Sequence, residues 1–257
     1  MNNPMKNPLL RGEKITRTFR QGGMSNKVLD GVDVEIFKED FTVIMGASGA
    51  GKSTLLYALS GMDQISGGKV FYKEKEISHL KEKQIAKLRA QEFGFVFQQT
   101  HLVSNLTLLE NVLVAGYVSE KEPPKEVETY ARNLFMQMEV AHAKDRLPSQ
   151  VSGGEAQRAA IARAMIGHPG ILFADEPTGA LNKANTMEVL NLLTELNRSG
   201  QSILMVTHDM RAAVRGNRIL YLEDGKILDE LELSDYSELD EKKRENEVSR
   251  WLTGLQW

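Results

Sequence analysis

The chain contains no cysteine, which excludes disulfides, thiolate metal sites and a cysteine nucleophile. Aromatic residues make up only 7% of it, and no apolar run approaches the roughly 18 residues of a membrane-spanning helix. The opening Met1-Asn2-Asn3-Pro4-Met5-Lys6 lacks the apolar stretch of a secretory signal. A cytoplasmic body is expected, with any membrane-embedded part of its work on another chain. An excess of one charge is missing too: 32 basic residues face 35 acidic ones, a net of −3. No basic footprint for nucleic acid stands out, and no nucleic-acid partner is expected. With 257 residues, 41% of them hydrophobic, the chain can build one large domain or a core carrying a smaller subdomain.

What is present is organised around Gly46-Ala47-Ser48-Gly49-Ala50-Gly51-Lys52-Ser53-Thr54. It follows the apolar run Phe41–Met45 and precedes Leu55–Leu59, so its context is buried strand, glycine-rich turn, helix. That is the setting in which G-x-x-x-x-G-K-[ST] carries meaning. Glycines let successive N–H groups converge, and the following helix adds its positive end, making an anion nest. Lys52 then suits a β- or γ-phosphate, and the Ser53 hydroxyl suits Mg²⁺.

Along the chain, residues 1–10 read as a loose leader, and Glu13–Phe37 has strand character around a Gln21-Gly22-Gly23 turn. Val32, Val34 and Ile36 alternate as on a half-buried antiparallel strand. Phe19 offers either a flat face for an adenine ring or a core side chain, and pattern alone favours the core. A strand follows at Gly67–Tyr72, a charged helix at Ile77–Arg89, and a buried strand at Phe93–Phe97 that ends in Gln98. Thr100–Gln150 is mostly helical, broken at Glu122-Pro123-Pro124, and reads as a helical subdomain inserted into an α/β core. Its apolar cluster, Leu106 to Leu113, serves its own packing or a docking surface. Ser152 is set to cap a helix running to about Ile166, and Gly153-Gly154 ahead of it is either a capping turn or a second anion nest. The strand Ile171–Ala174 stops at Asp175-Glu176-Pro177, since proline cannot continue the ladder. A helix over Asn182–Arg198 closes at Ser199-Gly200, the strand Ile203–Val206 ends in Thr207-His208-Asp209, and the last core strands are Arg218–Leu222 and Lys226–Leu228. In the tail, Glu238–Arg250 is a solvated helix face of mixed charge. Val248, Trp251, Leu252 and Leu255 form one stripe, expected to dock on the chain's own core, the alternative being a contact with a membrane partner or a second subunit.

Apolar strands separated by helices imply a parallel sheet, which binds ligands at the carboxyl ends of its strands. Four runs end in a functional group: the phosphate loop, Gln98, Asp175-Glu176 and His208. Phosphoryl transfer to water needs charge neutralisation and a water held in line. Asp175 is then the Mg²⁺-holding carboxylate, directly or through water, and Glu176 the group that polarises the attacking water. His208 reaches the γ-phosphate or that water, and Gln98 reaches metal and water.

With these residues in place, the sequence resembles the nucleotide-binding subunit of an ATP-binding-cassette (ABC) transporter. The resemblance spans about Lys14 to Leu228 and rests on six ordered motifs: Phe19, GASGAGKST at 46–54, Gln98, VSGGE at 151–155, ILFADEP at 171–177, and His208. Neighbouring text, such as Phe95–Gln98 and Leu106–Val112, is most similar to the bacterial branch of macrolide exporters, lipoprotein-release machines and antimicrobial-peptide resistance transporters. The expected fold is α/β: a phosphate-loop NTPase (RecA-like) core with an N-terminal antiparallel β subdomain and an inserted α-helical subdomain. The ATPase domain would cover 11–230, with the insertion at about 100–155, followed by a C-terminal helical extension over 231–257.

The resemblance implies an enzyme hydrolysing ATP with Mg²⁺, at the cytoplasmic face of the cell membrane. Phe19 would stack on adenine, and 46–54 would hold the phosphates. Ser53, Gln98 and Asp175 would hold the metal, and Glu176, His208 and Gln98 would serve catalysis. The family also implies a head-to-tail dimer in which Ser152, Gly153, Gly154 and Glu155 of one copy complete the other's ATP site. Its closure would drive a separate membrane permease through the surface near Gln98 to Val118. The expected cargo is a peptide antibiotic, drug or lipophilic substrate. The alternative is a regulatory module that uses the same ATP-driven closure to act on a membrane protein without transport.

Two positions depart from the family pattern. Phe19 replaces the usual Tyr, losing only a hydroxyl. Asn182 replaces the usual Asp in the loop that crosses the dimer; trading a charged for a neutral hydrogen bond is worth ~1 kcal/mol per site, or roughly fivefold in closure. An active but less tightly coupled ATPase is expected.

Overall fold

The computed structural model describes residues 7–22 and 24–255. Residues 1–6 of the expected leader, Gly23 of the expected turn, and residues 256 and 257, including Trp257, lie outside the described residues. In chain order the elements are β1 (Pro8–Gln21), β2 (Met24–Phe37), β3 (Phe41–Met45), α1 (Lys52–Leu59), β4 (Gly67–Tyr72), β5 (Lys75–Glu76), α2 (Glu82–Glu92), β6 (Phe93–Phe97) and α3 (Leu108–Ser119). They continue with α4 (Pro124–Gln137), α5 (Gly153–Met165), β7 (Ile171–Asp175), α6 (Lys183–Arg198), β8 (Ser202–Val206), α7 (Met210–Ala213), β9 (Arg218–Glu223), β10 (Lys226–Glu232) and α8 (Glu241–Gly254). The chain divides into two compact units, one of residues 1–81 and 200–257, the other of residues 82–199.

In the first unit, β3 is parallel to both β8 and β9, and β10 closes the order β10-β9-β3-β8 as an antiparallel edge. Every residue of β3 and of β8 is buried, as expected of parallel strands covered on both faces. A second sheet, in the order β2-β1-β4-β5, is antiparallel. In β2 the buried Val32, Val34 and Ile36 alternate with outward Asp33 and Glu35. The β1–β2 register shifts around Gly12 to Thr18, and Lys14 takes a left-handed φ of 48° there. Its N–H donates to Asp33 Oδ1 at 2.8 Å, so a side chain satisfies the backbone group that the bulge removes from the ladder.

The second unit pairs β6 with β7 in parallel, Phe97 opposite Asp175, and carries helices α2 to α6. Capping chemistry places the helix starts: Thr107 and Glu110 form a reciprocal box at α3, Ser152 and Glu155 another at α5, and Asn182 accepts from the Asn185 N–H at α6. α3 and α4 lie between β6 and β7 in the chain. The architecture is that of the expected α/β fold, with its antiparallel β subdomain and helical insertion.

Three local expectations are corrected. Pro8 to Leu10 belong to β1, with Leu10 fully buried, because the short apolar stretch pairs on both sides, Leu10 opposite Ile36 of β2 and Tyr72 of β4. The expected helix over Ile77–Arg89 begins only at Glu82; Ile77 instead hydrogen-bonds back to the Val70 carbonyl at 2.8 Å. Lys226–Leu228 is not a core strand: Leu228 is 52% exposed, since β10 forms the outer edge of its sheet.

The C-terminal stripe docks on its own unit, with Val248 and Leu252 buried and Trp251 Nε1 donating to Asp229 Oδ2 at 2.8 Å. Arg244 anchors the helix. Its guanidinium donates to the carbonyls of Val214 (2.8 Å), Ser234 (2.5 Å) and Gly216 (2.6 Å) and is almost completely buried. Arg244→Ala strips the buried Val214 and Gly216 carbonyls and the more open Ser234 carbonyl of their donor, so a loss of about 3 kcal/mol is expected. Urea unfolding would measure it, and Lys243→Ala on the exposed face should stay within about 0.5 kcal/mol of the parent.

Candidate functional site

In the first unit, β3 runs directly into the phosphate loop. Gly46 has φ 153°, and a Cβ there would stand 2.1 Å from the Leu222 carbonyl oxygen, so only glycine lets the turn pass β9. No side chain caps the N-terminus of α1 and no acidic residue occupies its first turn, which keeps that end electropositive. The Lys52 ammonium folds back over the loop, donating to the Gly46 (2.8 Å) and Ala47 (2.9 Å) carbonyls. The nest therefore has its cation in place. Ala47, Ser48 and Gly49 are exposed, and Ser53 and Thr54 are half-buried on the first turn of α1.

β8 lies beside β3 and ends level with it: the Thr207 N–H donates to the Ile44 carbonyl at 3.2 Å. His208, exposed at the end of β8, thus shares a sheet edge with the phosphate loop. Burial alone would raise the carboxyl pKa of the adjacent Asp209, but the Arg211 guanidinium and N–H hold it below the usual value. Phe19 lies in β1 opposite Asn26 and is 42% exposed, which corrects the core reading. Here β1 and β2 continue as a paired ribbon as far as Gln21 and Met24. Arg17 stacks on that ring at 4.4 Å and is itself tied to Asp63 at 2.7 Å.

The second unit holds the remaining residues. Because Phe97 and Asp175 are register partners, Gln98 and Glu176 leave one edge side by side. Gln98 lies against the turn after β7, its Nε2 2.9 Å from where a Cβ on Gly179 would stand. Glu176 adopts a left-handed φ of 47°, unusual for a side chain with a Cβ, and its carbonyl accepts from the Gly179 N–H at 3.0 Å. A non-glycine residue held there carries backbone strain of the kind found at functional turns.

Ser152 and Gly153 are exposed at the start of α5. The Ser152 N–H and hydroxyl both donate to Glu155 Oε2, at 2.8 and 2.7 Å, while the Glu155 N–H donates to Ser152 Oγ at 3.2 Å. These bonds and His142 hold the Glu155 carboxyl down at about 2. Gly154 is packed under Asn185 of α6, whose amide atoms lie 2.6–2.9 Å from a Cβ position. Asn182 thus spends its side-chain oxygen on capping that same helix.

Sequence reasoning missed two residues that bind α5 to the Gln98 segment. Gln157, 1% exposed, donates to the Phe97 carbonyl at 2.9 Å. Arg163 donates to the Thr100 and His101 carbonyls, both at 2.7 Å. The available signal was a glutamine on the buried stripe of an alanine-rich helix.

Comparison with known proteins agrees with this geometry. Residues 29–179 match the family model described as ABC transporter. The chain is 42% identical over 223 residues to the lipoprotein-releasing system ATP-binding protein LolD of Aquifex aeolicus, spanning 87% of this chain and 97% of that one. It is 38% identical to the bacitracin export ATP-binding protein BceA of Halalkalibacterium halodurans, over 89% of this chain and 90% of that one. It is also 38% identical to the macrolide export ATP-binding/permease protein MacB of Pasteurella multocida, over 87% of this chain but only 34% of that longer protein. Among solved structures, the dimeric post-hydrolysis state of the ATP-binding cassette MJ0796 bound to ADP and Pi superposes with a TM-score of 0.82 at 34% identity, over 88% of this chain and all of that one. The chain belongs to the ABC transporter family and is an ATP-binding, ATP-hydrolysing subunit of the type represented by LolD, MacB and BceA.

Proposed function

We propose that two copies of this chain close head to tail around two ATP molecules at the cytoplasmic face of a membrane and so power a permease on a separate chain. The observation that carries this reading is the presence of two distinct backbone nests in one subunit. One is the loop with Lys52 folded over it; the other is the exposed Ser152-Gly153 turn. A single triphosphate has no need of both from the same copy. The dimeric state of MJ0796 supports the pairing.

In this reading Phe19 stacks on the adenine ring, with Arg17 braced against its other face. The N–H groups from Gly46 to Thr54 and the Lys52 ammonium hold the phosphates. Glu176 takes the proton of the attacking water, while His208 and Gln98 hold that water and the γ-phosphate in line. The oxygen donors assigned to Mg²⁺ are the Ser53 hydroxyl, the Asp175 carboxylate and the Gln98 amide. They fit a cation held largely by phosphate oxygens and water, and among the described residues no cluster of three His, Cys, Asp or Glu side chains offers another metal cage. Mg²⁺ bound to them would neutralise charge on the transferring phosphoryl group.

No helix among the described residues is long and apolar enough to cross a membrane. Ser152, Gly153, Gly154 and Glu155 act in trans, and the Gln98–Val118 surface meets the permease. The names of the relatives, covering lipoprotein release, bacitracin export and macrolide export, support a cargo that is a lipophilic molecule, peptide antibiotic or drug. The test is ATP turnover as a function of protein concentration. Specific activity should rise with concentration at saturating ATP and Mg²⁺. A rate per subunit independent of concentration, with full nucleotide binding by single subunits, would overturn the proposal.

A further inference from the structure

We propose that His142 is a positioning residue for the Ser152 nest, setting through Glu155 how readily that nest accepts a phosphate. This rests on the reading above, in which Ser152 meets the γ-phosphate held by the partner copy. Ser152 has one hydroxyl proton, and it points at Glu155 Oε2, 2.7 Å away. A carboxylate therefore occupies the mouth of a turn that is to receive an anion, and the hydroxyl must leave it to reach the phosphate. The other carboxylate oxygen, Oε1, lies 2.7 Å from His142 Nε2, on the short turn Ala141–Ala143 that follows α4. Residues 142 and 155 are brought together by the fold alone.

The charge balance at the nest follows from this contact. Histidine changes charge between about pH 5 and 8, whereas Glu155, held at about 2, is anionic throughout that window. With His142 neutral, the nest carries an uncompensated negative charge; with His142 protonated, the pair is neutral and repulsion toward phosphate falls. Other charges on the surrounding segments are already engaged: Lys144 pairs with Asp145 at 2.7 Å, and Arg158 of α5 pairs with Glu188. Arg132 on α4, Glu139 just after it and Arg146 beyond the turn are further charged side chains on these segments.

The test uses the full chain carrying Glu176→Gln, which should accumulate the ATP-bound dimer, with dimerisation in ATP and Mg²⁺ followed by sedimentation at pH 6 and pH 8. Dimerisation should be about two- to fivefold tighter at pH 6, the range of a solvent-exposed ion pair. Adding His142→Gln, which keeps a hydrogen-bonding side chain without the charge, should abolish that difference. Adding His142→Lys, cationic at both pH values, should keep dimerisation tight at both. An unchanged pH response in His142→Gln overturns the role of His142 alone. Failure of every variant to dimerise at either pH overturns the head-to-tail reading with it.

Discussion

A chain carrying Glu176→Gln is expected to bind ATP as the parent does, to turn it over about a hundred- to ten-thousandfold more slowly, and to accumulate as a dimer. The magnitude is that of removing a positioned general base from a proton-transfer step. The substitution is chosen because it leaves everything else alone. Glu176 sits on a left-handed turn at φ 47°, and its carbonyl closes that turn onto the Gly179 N–H at 3.0 Å. Glutamine has the same shape and the same backbone demands, so the turn and the neighbouring Gln98 stay where they are. The capacity to take up a proton disappears together with the carboxylate's negative charge. Single-turnover hydrolysis and size-exclusion chromatography in ATP and Mg²⁺ measure the two halves of the expectation. Turnover at the parental rate would remove Glu176 from the chemistry.

The second large effect is the loss of nucleotide affinity in Lys52→Ala. The ammonium is held over the loop by the Gly46 and Ala47 carbonyls at 2.8 and 2.9 Å, so it is organised before any phosphate arrives. An arriving phosphate then gains a charge-assisted bond without the entropic cost of ordering a long side chain. Removing such a bond costs about 1.5–3 kcal/mol, or roughly ten- to a hundredfold in the dissociation constant. Alanine also leaves the two carbonyls without that donor, which loosens the loop itself. Titration with a fluorescent ATP analogue reads the change, and an unaltered dissociation constant would contradict the role given to Lys52.

The two variants separate binding from chemistry because their residues come from different local devices. The phosphate loop is a contiguous segment, 46–54, whose glycines, lysine and helix start are all neighbours in sequence. Its strand, turn and helix were legible for that reason. The Ser152 cap was legible on the same grounds, its Glu155 partner lying three residues on, whereas Asn182, read as the first residue of its helix, caps it by accepting from the Asn185 N–H. Phe19 was misjudged because strand alternation says which residues share a face but not whether anything covers that face. The β1–β2 ribbon leaves the ring exposed, with Arg17 stacked on it. Ile77 was misjudged because its helical spacing competes with a hydrogen bond to Val70 that local pattern cannot weigh.

What the sequence by itself determined is therefore the chemistry within reach of a few residues: the anion nests, the buried parallel strands and the polar groups that end them. Only the tertiary structure decided which of those groups meet. Phe97 pairs with Asp175, Gln157 holds the Phe97 carbonyl, Arg244 reaches back to Val214 and Gly216, and His142 closes on Glu155. Loop-closure entropy sets the cost of such long-range contacts, and burial across the whole core repays it. No local spacing therefore encodes them.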